Sequence, residues 1–160
     1  MNTHRRILSP HARPANLRAA ASAGPDYGRS DQPDWREVPW QTHLHAMTID
    51  ARRVHVCEAG SGEQTPLLLI HGLGGRWQNW LENIPRLAEH RRVVAVDLPG
   101  FGRSQLPVEP ISIAGYARTL DRVCDLLELD AVIAVGNSLG GLVATELALR
   151  EPARVAGLAL

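Results

Sequence analysis

The distribution of apolar and polar positions divides the 160-residue chain near Pro39. Residues 1–38 are rich in Arg, Pro, Ala, Ser and Asp and show no usable period, which predicts a disordered tail. Beyond Pro39 the textures become those of regular structure. Thr42–Asp50 and Arg52–Glu58 predict two short strands, an antiparallel pair with a turn near Ala51. Pro66-Leu67-Leu68-Leu69-Ile70 is a solid apolar run, which suits a strand buried on both faces. Trp77, Trp80, Leu81, Ile84 and Leu87 recur at helical spacing and predict a helix over Trp77–His90, with Pro85 as a potential kink.

Val93-Val94-Ala95-Val96 predicts a second buried strand, and Ala131–Val135 a third. Between them, Ile113, Tyr116, Ala117, Leu120, Val123, Cys124 and Leu127 fall on one side of an amphipathic helix over Ser112–Leu129. Leu139–Arg150 reads as a helix stopped near Pro152, and Val155–Leu160 as a fourth parallel strand. Strands alternating with helices imply right-handed crossovers and a parallel sheet. Residues that do chemistry then belong at the carboxyl ends of the strands. The three glycine-bearing loops, at 71–75, 97–103 and 136–141, all fall there.

Composition narrows the field. Hydrophobic residues make up 44% and charged residues 21%, ordinary values for a globular chain of one-domain length. A formal net charge of zero argues against nucleic acid as a partner. All 17 basic residues are arginine, so Schiff-base, Ser-Lys and P-loop lysine chemistry are excluded within the chain. Cys57 and Cys124 lack metal spacing and read as reduced, buried thiols in preference to a disulfide or a reactive thiol. No apolar run approaches the roughly 18 residues of a membrane span. The segment before Ala19-Ala20-Ala21-Ser22-Ala23 is no signal-peptide apolar region, so a cytoplasmic protein is expected.

Gly136-Asn137-Ser138-Leu139-Gly140 follows a strand and opens a helix. Glycine and serine favour bends in general, but the pattern G-x-S-x-G in that context matches a nucleophile elbow. There Gly136 and Gly140 would let strand and helix nearly touch, and Ser138 would stand above the sheet. His71-Gly72-Leu73-Gly74-Gly75 could cradle a dinucleotide only with glycine at 77, where Trp77 stands. In a serine enzyme the N–H of Leu73 would join that of Leu139 in an oxyanion hole. His71 reads as a structural histidine rather than a base, and Asp97 as the tie of its loop rather than a triad acid. His43, His45 and His55 suit a solvated strand face better than a metal site. Trp77 and Trp80 read as core, with Trp77 close enough to its loop to line a pocket mouth. No metal or cofactor is expected.

"HGLGG", "DLPGFGRS" and "GNSLGG", in this order and spacing, resemble the α/β-hydrolase superfamily in its serine-nucleophile branch. The resemblance covers about Pro39–Leu160. It implies an α/β-hydrolase fold with a mostly parallel sheet, helices on both faces and an N-terminal antiparallel hairpin, truncated after about the sixth strand. On that mapping Ser138 takes the nucleophile's place, Leu73 and Leu139 the oxyanion-hole amides, and His71-Gly72 the loop presenting one of them. Asn137 before the serine and two glycines after Leu139 are similar to carbon–carbon bond hydrolases of ring-cleavage products, and also to esterases. The family order of Ser, acid, His is incomplete: after Ser138 the only acids are Glu146 and Glu151, and there is no histidine. The first expectation is the N-terminal part of a hydrolase that cleaves ester, thioester or carbon–carbon bonds of a small organic substrate, with the triad acid and histidine beyond Leu160. The alternative is a catalytically inactive, binding-only relative. Oligomeric state is not legible.

Overall fold

The computed structural model describes residues 35–160, so the tail expected over 1–38 lies outside the described residues as far as position 34. Trp40–His43 form a short 3₁₀ turn, held by Thr42 Oγ donating to the Pro39 carbonyl at 2.8 Å. That turn absorbs Thr42 and His43, so strand β1 starts later than the pattern predicts, at Leu44–Ile49. Strand β2, Arg52–Ala59, pairs with β1 antiparallel from Leu44↔Cys57 to Ile49↔Arg52. Asp50 and Ala51 connect them with φ of 49° and 59°, the two left-handed residues of a tight hairpin turn.

β3 (Leu67–Ile70), β4 (Val93–Val96), β5 (Val132–Gly136) and β6 (Val155–Ala159) complete a six-stranded sheet. Its order is β1-β2-β4-β3-β5-β6. β4, β3, β5 and β6 run parallel, and β2 joins β4 antiparallel. Every residue of β3 and β4 is buried, which is why both lack alternation in sequence.

Helix α1 is Ile84–Ala88, α2 is Ile113–Leu126 and α3 is Leu139–Arg150. Ser112 caps α2 by accepting a hydrogen bond from Gly115 N–H at 3.0 Å. α2 and α3 cover one face of the sheet, where Leu68, Ile70, Val94 and Val96 meet Leu120, Val123, Val143 and Leu147. The opposite face carries Leu67, Leu69, Val93 and Ala95 under Trp77 and Ile84. Cys57 belongs to that second cluster and Cys124 to the first; both are free, buried thiols.

The single helix expected over Trp77–His90 does not form. A 3₁₀ turn, Trp77–Trp80, is followed by turn residues and then α1. Proline explains the break. Within a continuous helix the Pro85 ring would collide with the carbonyl four residues earlier and supply no N–H, whereas in the first turn of α1 neither cost arises.

Candidate active site

Because β4, β3 and β5 are parallel neighbours, their carboxyl ends deliver three loops to one edge of the sheet: 97–103, 71–75 and 136–138. Ser138 sits on the third, with φ 52° and ψ −114°, a conformation that side-chain-bearing residues rarely adopt. The two glycines around it are required by contact. A Cβ on Gly136 would lie 2.3 Å from the Gly140 carbonyl oxygen, and one on Gly140 would lie 2.1 Å from the Ile70 carbonyl oxygen. α3 therefore crosses directly against the end of β3, and Asn137 N–H donates to that same Ile70 oxygen at 3.0 Å.

Ser138 is exposed, and its hydroxyl caps none of the N–H groups of α3. Leu139 is the first residue of that helix. Gly140 N–H is taken by Asn137 O and Gly141 N–H by Ser138 O, but the Leu139 N–H has no backbone acceptor among the described residues. The Leu73 N–H has none either. Gly72 approaches the elbow closely enough that a Cβ there would lie 3.4 Å from Ser138 Cβ and 3.0 Å from Asn137 Oδ1. The 71–75 loop thus adjoins the serine turn, and Leu73 at its tip is 79% exposed. At this corner the amides at 73 and 139 are unclaimed, the hydroxyl is exposed, and the positive end of the α3 dipole faces outward.

His71 is fully buried and both ring nitrogens are engaged. Nε2 accepts from Leu98 N–H at 3.0 Å and therefore carries no proton; Nδ1 then carries it and donates to the Gly72 carbonyl at 2.7 Å. Burial pushes the imidazole below its ordinary range, and the Gly72 carbonyl and nearby Asp97 oppose that only in part. The ring packs edge-on against Phe101, 5.4 Å between centroids. This is the structural histidine the sequence implies, and it has no lone pair to lend to Ser138.

Asp97 reciprocates from the neighbouring strand. Its Oδ1 accepts from Trp77 N–H at 2.7 Å and its Oδ2 from Arg103 N–H at 2.9 Å. A Cβ on Gly102 would lie 2.1 Å from Oδ2, so a glycine with φ 55° lets the loop wrap the carboxylate. Asp97 is a loop tie, as the sequence suggests. Ser104 escaped sequence reasoning. Its Oγ donates to the Asp97 carbonyl at 2.7 Å and accepts from His55 N–H at 2.9 Å, stitching the loop to β2. A serine following Gly102 and Arg103 carries no local signal for a partner 49 residues away.

The remaining candidates disperse. His43 Nδ1 is 3.0 Å from the Glu58 carbonyl, and His45 Nε2 lies 3.7 Å from the Glu58 carboxylate, half exposed. Among the described residues no three His, Cys, Asp or Glu side chains gather as a metal site. Trp77 is buried against Trp40, with ring centroids 5.3 Å apart, and belongs to the core. Burial pushes both thiols, Cys57 and Cys124, up to about 12. A hollow of about 390 Å³ lies between the β1–β2 turn and residues 99–119, and Ser138 does not line it. No helix among the described residues is long and apolar enough to cross a membrane.

Comparison with known proteins agrees with this architecture. The chain is 41% identical over 112 residues to the dihydrolipoyllysine-residue acetyltransferase component of an acetoin cleaving system from Cupriavidus necator, covering 70% of this chain and 30% of that protein. It is 41% identical over 116 residues to 2-hydroxymuconate semialdehyde hydrolase from Pseudomonas sp. strain CF600, covering 68% and 39%. The solved structure of the epoxide hydrolase CorEH superposes with a TM-score of 0.69 at 35% identity, covering 72% of this chain and 40% of that one. The chain therefore spans well under half the length of these relatives. Residues 65–160 match the family described as alpha/beta hydrolase fold, and the chain belongs to that family.

Proposed function

We propose that Ser138 is the nucleophile of a hydrolase acting on ester, thioester or carbon–carbon bonds of a small organic substrate. The observation that carries this reading is the strained serine, exposed between two glycines that the α3–β3 contact requires, beside two amides without acceptors. In the reaction the hydroxyl adds to a substrate carbonyl, and its proton passes to a base. The N–H groups of Leu73 and Leu139 receive the developing oxyanion. Collapse breaks the bond to the oxygen, sulfur or carbon leaving group, which departs with the proton held by the base, and the acyl group left on Ser138 is released as the acid by water. His71-Gly72 presents the first amide; Gly136 and Gly140 shape the turn that presents the second. No cofactor enters this scheme.

The base is not in the elbow's own segment, since no histidine follows Ser138 and both nitrogens of His71 are engaged. The triad acid and histidine are assigned to the part of the relatives' length that this chain does not span. One relative is named 2-hydroxymuconate semialdehyde hydrolase, which supports a small organic substrate. The engagement of both His71 nitrogens favours a second reading, a binding-only relative without turnover.

Two measurements test these readings. A polypeptide that joins this chain to the later strands of the 2-hydroxymuconate semialdehyde hydrolase relative should form a covalent adduct with a fluorophosphonate at Ser138, and Ser138→Ala should abolish it. Labelling elsewhere, or none, would overturn the nucleophile. The 160-residue chain alone should hydrolyse p-nitrophenyl acetate no faster than its Ser138→Ala variant, because elbow and amides without a base leave only residual catalysis. Clear serine-dependent turnover would show that a base is present after all.

A further inference from the structure

We propose that His71 is a positioning residue that sets the direction in which the Leu73 N–H is presented beside Ser138. It does so by gripping the other end of the same peptide group. This rests on the assignment of Leu73 as an oxyanion-hole donor, but the geometric part stands without it. A trans peptide is rigid and planar, with its C=O and N–H pointing in opposite directions. The 72–73 peptide is trans, since the described chain contains no cis bond. Whatever fixes the Gly72 oxygen therefore fixes the Leu73 N–H.

Among the described residues two donors hold that oxygen: His71 Nδ1–H at 2.7 Å and Gly75 N–H at 3.0 Å. They differ in kind. Gly75 closes a four-residue turn on itself and moves with the loop. His71 is fully buried at the end of β3, and its other nitrogen accepts from Leu98 N–H just beyond β4. Only the histidine ties the peptide plane to the sheet. The tie works in one tautomer: the Leu98 N–H occupies the Nε2 lone pair, which puts the proton on Nδ1, where the Gly72 oxygen needs it. Gly74 has a φ of 71° and open space where a Cβ would lie, and Leu73 is mostly exposed, so neighbouring side chains do little to hold the loop tip. Without His71 the turn would keep its shape and lose its bearing.

The two nitrogens can be separated by substitution, because an asparagine amide nitrogen takes the place of Nδ1 and a glutamine amide oxygen reaches the place of Nε2. His71→Asn keeps the donor to Gly72 and loses the acceptor for Leu98. His71→Gln keeps the acceptor and loses the donor. The readout is the N–H residual dipolar couplings of the ¹⁵N-labelled 160-residue chain, which report bond direction amide by amide. Those of β3, β4 and β5 serve as the reference frame. Wild type and His71→Asn should share the Leu73 coupling, and His71→Gln should shift it while the strands stay fixed. A general stability role would instead move both variants together, and that result would overturn the proposal. So would a Leu73 coupling unchanged in His71→Gln. Should neither variant fold, the ¹⁵N shifts of the wild-type ring decide. A protonated Nδ1 with an unprotonated Nε2 supports the clamp, and the opposite tautomer refutes it. Failure of fluorophosphonate to label Ser138 in the joined polypeptide would sink the nucleophile and leave these couplings to be judged separately.

Discussion

His71 and Asp97 brace each other's loops: the histidine after β3 takes an N–H from the β4 loop, and the aspartate after β4 takes one from the β3 loop. Buried acceptors of this kind are costly to orphan, because each lost partner leaves a backbone N–H unsatisfied. Asp97→Ala should strip the acceptor from Trp77 and Arg103 together and cost about 2–4 kcal/mol, read as a lower urea midpoint. A loss within about 0.5 kcal/mol would mean that the carboxylate does not hold the loop. The histidine adds a dependence on pH. Its imidazole, like that of His55, is held by burial below the ordinary value of 6.5, so the unfolded chain binds the proton more readily. The stability this contributes is fully present above pH 6.5 and is lost as pH falls towards the folded-state values. Urea midpoints should therefore drop between about pH 7 and about pH 5, and more steeply in wild type than in His71→Asn. Parallel profiles would refute a contribution from His71. The thiols give a third check, since burial pushes both up to about 12. Ellman's reagent should leave the native chain unlabelled near neutral pH and titrate both cysteines once urea unfolds it.

Regular elements were legible where one period ran uninterrupted. Leu139–Arg150 forms with the bounds its sequence implies, and α2 ends within three residues of expectation. The buried strands followed from unbroken apolar runs, and turn chemistry pointed to the tight bend at Gly136 and Gly140, where a Cβ would meet backbone atoms. What was not legible depended on partners far away in sequence. Helical spacing over 77–90 outweighed the signal of Pro85, because the burial of Trp77 and Ile84 on the sheet mimics a helical stripe. Ser104 and Arg154 gave no sign of their roles. Arg154 bonds Asp121 at 2.9 Å, Asp125 and the Leu129 carbonyl, tying the entry to β6 onto α2. The hairpin offers a test of turn chemistry. Ala51 carries a Cβ at φ 59°, a conformation costing roughly 1–2 kcal/mol for an L-residue other than Asn, Asp or Gly. Ala51→Gly should relieve that strain and raise the melting temperature, despite the greater freedom glycine gives the unfolded chain. An unchanged or lower melting temperature would mean that the turn is not strained.

The sheet is unevenly protected. β1 blunts one edge as the outer member of a hairpin whose outward residues include His45, Ala46 and Thr48. At the other edge, among the described residues, β6 pairs only with β5, with a register irregularity at Val132 and Ile133. Its sequence, Val-Ala-Gly-Leu-Ala, bears no charge, and Leu158 and Leu160 are 43% and 77% exposed. An uncharged strand with a free row of N–H and C=O groups is a template for pairing with another chain. α3 adds apolar exposure of its own at Leu142 and Leu149. The 160-residue chain is therefore expected to self-associate through β6, and a lysine on the strand should oppose this by placing like charges side by side in any β6–β6 contact. Leu158→Lys should lower the apparent mass in sedimentation at a given concentration while leaving the far-ultraviolet spectrum intact. Leu149→Lys, which alters the helix alone, separates strand pairing from general apolar adhesion. Equal relief from both variants would assign association to exposed apolar surface at large, and a chain that is monomeric from the outset would remove the edge of β6 as an aggregation site.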